Sequence, residues 1–114
     1  TADRLGGFRL VRGGEAANQP ADASVMEATV IGPNPFEGAT RLRVEIRTPQ
    51  QLRITIHDIT GRQVRRLWDR PVLPGPLEFG WDGHATDGRE VPAGLYYCRV
   101  HGERATKVIR LVRL

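Results

Sequence analysis

Leu42, Val44 and Ile46 alternate with Arg41, Arg43, Glu45 and Arg47. After the turn "TPQQ", Leu52, Ile54 and Ile56 alternate with Arg53, Thr55 and His57. A period of two sends successive side chains to opposite faces of a strand, so each segment has one apolar face and one polar face. No stretch of the chain carries the 3.6-residue period of a helix. The fold is therefore expected to be all-β, with arginine on the outer face of at least one sheet.

Turn chemistry sets the strand lengths. In "DITGR", residues 58–62, Gly61 supplies the positive φ that a bulged hairpin needs. "QVRRLW" reads as a short edge strand. "PVLPGP" cannot sit in the middle of a sheet, because proline donates no ladder hydrogen bond. "LEFGW" places Leu77, Phe79 and Trp81 on one face. The turn-rich connection "DGHATDGREVPAG" then leads to a last hairpin, "LYYCRV" and "ATKVIRLVRL" around "HGER". Strands at this spacing predict an antiparallel β-sandwich. Val44, Ile54, Trp81 and Val108 are predicted core residues. Cys98, between Tyr96 and Val100 on the same strand face, is predicted to be buried and unpaired, since a lone cysteine has no intrachain partner.

The first part of the chain has a different texture. "GGFRLVRGG" looks like a lone strand over residues 7–12, fenced by glycines, and its RLVR returns at residues 110–113. Residues 13–27, "GGEAANQPADASVME", are small, polar and unpatterned, and read as a linker. The expected organisation is an N-terminal extension over 1–27 and a sandwich over 28–114. The start at Thr1, without methionine or an apolar leader, suits a mature secreted protein or an excised fragment.

The 114 residues carry a formal charge of +4, almost all the cations being arginine. A modest charge with interspersed acids reads first as a solvated basic face, and an anionic partner such as surface polysaccharide is the alternative. Nucleic acid does not fit, because readers of single strands interleave stacking aromatics with the charge, and the Arg41, Arg43, Arg47, Arg53 face has none. No apolar run approaches the 18 or so residues that span a membrane. Serine catalysis is disfavoured, since Ser24 lies in the linker. His57, His84 and His101 have no zinc-type spacing and are read as solvent-facing. Asp82 and Asp87 bracket a loop that offers too few oxygens for calcium, so residues 82–88 are read as a structural turn. No catalytic site, metal or cofactor is expected.

Four motifs occur in order: "GPNPFEGATRLRVEI", "IHDITGRQVRRL", "FGWDGHATDGREVPAGLYYCRV" and "ATKVIRLVRL". Over about residues 30–114 they resemble the Ig-like C-terminal modules of secreted bacterial proteins, related to the Ig-like domain of the flagellar hook-capping protein and to type IX secretion C-terminal sorting domains. The resemblance implies an immunoglobulin-like sandwich of about seven strands that sorts, anchors or assembles and does not catalyse. Its motif residues are Pro33, Asn34, Pro35, Phe36, Gly61, Trp81, Asp82, Gly83, Gly88, Gly94 and Tyr96. Asn34–Pro35 is a turn-initiating pair. Phe36 is expected to plug one end of the sandwich and Trp81 to fill the core. Asp82 and Gly83 turn the chain, and Gly94 lets it enter the Tyr96 strand at close quarters.

Two functions follow as expectations. In the first, the chain is an extracellular structural subunit of a bacterium that polymerises head to tail, as the strand Phe8, Arg9, Leu10, Val11, Arg12 adds to the sheet of a neighbouring copy. In the second, it is the C-terminal sorting or anchoring module of a larger secreted protein, with secretion machinery as its partner.

Overall fold

The alternating segments become strands. The computed structural model describes residues 26–114, so the expected assembly strand 7–12 and most of the linker lie outside the described residues. Seven strands follow one another: β1 (Met26–Val30), β2 (Thr40–Ile46), β3 (Gln50–His57), β4 (Gln63–Val72), β5 (Gly75–Trp81), β6 (Gly94–His101) and β7 (Thr106–Arg113). They form two antiparallel sheets, one in the order β1-β2-β5 and the other in the order β4-β3-β6-β7. The result is the expected Ig-like sandwich.

The core is the set of apolar faces read from the alternation. Leu42, Val44 and Ile46 of β2 meet Leu52, Ile54 and Ile56 of β3, Cys98 and Val100 of β6 and Leu111 of β7, all 4 % exposed or less. Each such burial contributes about 1.5–3 kcal/mol. Three aromatic rings close one end. Phe36 and Tyr96 both meet Trp81 edge-on, at centroid separations of 5.7 and 5.4 Å. The Tyr96 hydroxyl donates to the Pro92 carbonyl at 2.6 Å, tying the start of β6 to the loop before it, as in other Ig-like sandwiches. Trp68 of β4 meets Phe79 of β5 edge-on at 5.5 Å.

Several expectations need correction. Val108 is 56 % exposed and is not in the core. "KVIRLVRL" offers two apolar parities, and pairing with β6 decides between them: Leu111 lies opposite the buried Tyr96, which sends Val108 outward with Arg110 and Val112. His57 does stand on an outward strand position, yet it is buried at 8 % exposure, between Tyr97 and Gln63 in register and beside the Asp58–Gly61 turn. It is therefore not solvent-facing. Met26 and Glu27, read as the end of the linker, form the start of β1, and Met26 is fully buried. Gly94 has φ of 148°, and a side chain there would meet nothing within 4 Å. Its reason is conformational freedom and not a close approach.

Core and face separate cleanly by mutation. Ile54→Ala should destabilise the chain by about 2–5 kcal/mol, and Val108→Thr by no more than about 0.5 kcal/mol. Urea denaturation monitored by tryptophan fluorescence checks both. Equal losses would contradict the register of β7.

Candidate docking surface

A sandwich of two open sheets has four edge strands, and a bare edge is a template for another chain. Three of the edges are blunted. On β5, Pro76 lacks an N–H. β1 is five residues long. On β4, the register slips twice against β3, Thr86 donates its N–H to Val64 O, and the Trp68 indole N–H donates to Arg70 O at 3.0 Å.

The fourth edge, β7, is closed over half its length. The Asn34 side-chain amide donates to Arg110 O, and its carbonyl oxygen accepts from the Val112 N–H, both at 2.9 Å. One carboxamide thus pairs as a peptide unit of an added strand would. Phe36 continues the pairing: its N–H donates to Val112 O at 2.9 Å and its carbonyl accepts from Leu114 N–H at 2.8 Å. The Asn34–Pro35 peptide between them is cis. "PNPF" is therefore a strand-edge clip as well as the source of a core ring.

The clip ends at Arg110. Even-numbered residues of β7 aim their backbone groups away from β6, as Val112 shows, so those of Thr106 and Val108 face the open edge. Among the described residues nothing pairs with them.

The sheet faces differ in charge. On the outside of the three-stranded sheet, Glu78 bridges Arg41 and Arg43 at 3.2 and 3.4 Å, and Glu27 lies 3.9 Å from Arg47. On the outside of the four-stranded sheet the carboxylates are engaged locally. Asp69 faces Arg66 and accepts from Gln51, and Glu103 accepts from the Gln51 N–H. Arg53, Arg99 and Arg110 share that face and have no ion-pair partner among the described residues. Between them lie Thr55 and His57, buried and bonded to each other at 2.8 Å. In a neutral ring, Nδ1 of His57 donates to Gly61 O at 3.1 Å and Nε2 accepts from the Thr55 hydroxyl.

The remaining motif residues are used in turns. Asp58 caps its own turn by accepting from the Thr60 N–H and hydroxyl and from the Arg62 N–H. The Thr60 hydroxyl is the main cause that lowers its pKa. Burial works to raise the Asp82 pKa, but the His84 N–H, His84 itself and Arg65 outweigh it and hold the carboxyl below its ordinary value. Asp87 binds Arg89 through backbone and side chain. Gly61, Gly83 and Gly88 all take positive φ in these turns. Among the described residues no cluster of His, Cys, Asp and Glu is placed to hold a metal.

Arg113 is the residue that sequence reasoning missed. Its guanidinium donates to Val91 O and Glu37 O at 3.1 and 2.7 Å and lies 3.6 Å from Glu90, gathering three connections at the aromatic end. A terminal arginine on a strand carries no signal of that role. Pro33 is exposed and leads into the clip.

Cys98 is fully buried and free, and burial pushes its thiol up to about 12. A thiol with so little thiolate and no access is inert. Native protein mixed with a thiol reagent at pH 8 should label only as fast as it globally unfolds, and labelling within seconds would contradict the packing of β6.

The model of the FlgD Ig-like domain family matches residues 28–106. No curated protein matches the chain. Among solved structures, dimeric latent PorU from Porphyromonas gingivalis is similar with a TM-score of 0.58 and 21 % identity, covering 79 % of this chain and 9 % of that one. FlgD from P. aeruginosa is similar with a TM-score of 0.51 and 15 % identity, covering 78 % of this chain and 73 % of that one. At those identities the likeness is one of fold, and the chain spans under a tenth of PorU. The family match runs from within β1 to the first residue of β7 and takes in Asn34 and Phe36, well over half of the chain, and on that ground the chain belongs to the FlgD Ig-like domain family.

Proposed function

We propose that the chain is a non-catalytic docking module of a secreted bacterial protein, which sorts its host protein to the cell surface or holds it there. The half-open β7 edge carries this reading: among the described residues the other three edges are short, proline-bearing or irregular, and Thr106 and Val108 keep backbone groups to offer. Family membership supports it, as does the likeness to part of a large chain, PorU, and to FlgD. The carboxylates of Asp58, Asp82 and Asp87 are engaged by the N–H groups of their own turns. No helix among the described residues is long and apolar enough to cross a membrane. A reporter with a signal peptide, fused ahead of residues 1–114 in a bacterium with a type IX secretion system, should become protease-accessible at the cell surface. The same distribution with and without the chain would contradict the reading.

A second reading rests on the repeated RLVR. One copy, residues 110–113, forms the clipped half of β7. The other, in Phe8–Arg12, has the composition to extend a sheet of the same kind in a neighbouring copy. Burying Phe8, Leu10 and Val11 contributes about 1.5–3 kcal/mol each, while ordering six residues costs about 1–2 kcal/mol apiece. Strand hydrogen bonds must therefore supply the surplus. Such a contact is head to tail and builds a ring or a filament. Light scattering decides: full-length chain should associate with rising concentration and a chain lacking residues 1–14 should stay a folded monomer. If both stay monomeric, self-assembly is excluded and the docking reading stands.

A further inference from the structure

We infer that the open half of β7 accepts an extended, acidic segment of another protein as an added strand, with acidic side chains above Arg99 and Arg110 and apolar ones turned toward the core. This inference rests on the docking-module reading and names the partner's chemistry. Three independent features of the same place converge on it.

The first is the backbone. Thr106 and Val108 present donors and acceptors in the alternation that a peptide strand satisfies and a sugar chain does not. The clip sets the length of the site, because Asn34 already holds Arg110 O. A guest strand can pair over Thr106–Arg110 and no further.

The second is charge. An added strand lies about 4.8 Å from β7 and about 10 Å from β6, so glutamates on its outer face reach both Arg110 and Arg99. Those guanidiniums lack carboxylate partners among the described residues, whereas Arg41, Arg43 and Arg47 on the opposite sheet have theirs. Burial holds the His101 imidazole below its ordinary pKa, and Arg53 and Arg99 on the same face add to the shift. The chain's own Phe8–Arg12, added with Phe8 and Leu10 inward, would bring Arg9 to the same face and meet like charge.

The third is apolar surface beside the edge. Ile109, half-buried on the inner side of β7, extends the core to the open edge. A guest that alternates acidic and apolar residues matches both sides.

The test titrates the full chain with fluorescently labelled peptides and reads anisotropy. An alternating Glu-Val octapeptide should bind at least tenfold more tightly than the Lys-Val octapeptide and than the chain's own segment GGFRLVRGG. Val108→Pro, which an edge strand tolerates, removes an outward donor and should weaken Glu-Val binding at least tenfold with the melting temperature kept. Should that variant fail to fold, Arg99→Glu with Arg110→Glu should reverse the preference between the two octapeptides. Equal binding of the Glu-Val and Lys-Val peptides overturns the inference. So does preference for GGFRLVRGG, which leaves the module reading intact and favours self-addition. Displacement of the Glu-Val peptide by polygalacturonate, with Val108→Pro lacking effect, also overturns it and points to a glycan. Binding of none of the probes removes both the inference and the docking role of this edge.

Discussion

Much of the molecule's arrangement hangs on one side chain. The carboxamide of Asn34 donates to Arg110 O and accepts from Val112 N–H, and so behaves as a peptide unit on the rim of the four-stranded sheet. The loop that carries it joins β1 to β2, which belong to the other sheet. Two hydrogen bonds, each worth about 0.5–1.5 kcal/mol net, therefore stitch one sheet to the other at one end of the sandwich. They also aim the following residues. Phe36 pairs with Val112 and Leu114 and drops its ring against Trp81, which in turn meets Tyr96. End closure, edge protection and the limit of the open edge share this cause.

The two faces of the molecule solve the same problem differently. Arginine on the outside of a sheet needs either a carboxylate or water, and the three-stranded sheet supplies Glu78 and Glu27 at distances of 3.2–3.9 Å. Exposed pairs of this kind add little stability. Their consequence is a neutralised surface. The four-stranded sheet leaves Arg53, Arg99 and Arg110 without ion-pair partners among the described residues, beside the Thr106–Val108 stretch of β7, whose outward backbone groups have no partner among those residues either. Charge and hydrogen-bonding capacity are thus available at the same place, as the proposed docking role requires.

The fold was legible because period-two alternation is a physical requirement of a half-buried strand. Leu42, Val44, Ile46, Leu52, Ile54 and Ile56 announce both inner faces. Where alternation is ambiguous the reading failed: "KVIRLVRL" can be threaded in two parities, and only the cross-strand partner Tyr96 selects Leu111 over Val108. His57 was misplaced for a related reason. Its strand parity is outward, but its burial comes from Tyr97 on a strand 40 residues away and from its own turn. The role of Asn34 was half legible. Its motif marks a turn, while its pairing with β7 depends on a contact 76 and 78 residues distant. Arg113, which binds two loop carbonyls and approaches Glu90, left no trace in the local pattern.

The most direct measurement is residue-resolved amide hydrogen exchange along β7. The clip predicts slow exchange at Val112 and Leu114, whose N–H groups are bonded to Asn34 and Phe36, and fast exchange at Thr106 and Val108, which face the open edge. In Asn34→Ala, Val112 should join the fast group while Ile109 and Leu111, paired with β6, stay slow. Uniform protection along β7 in the wild-type chain, or an unchanged Val112 in the variant, would contradict the account.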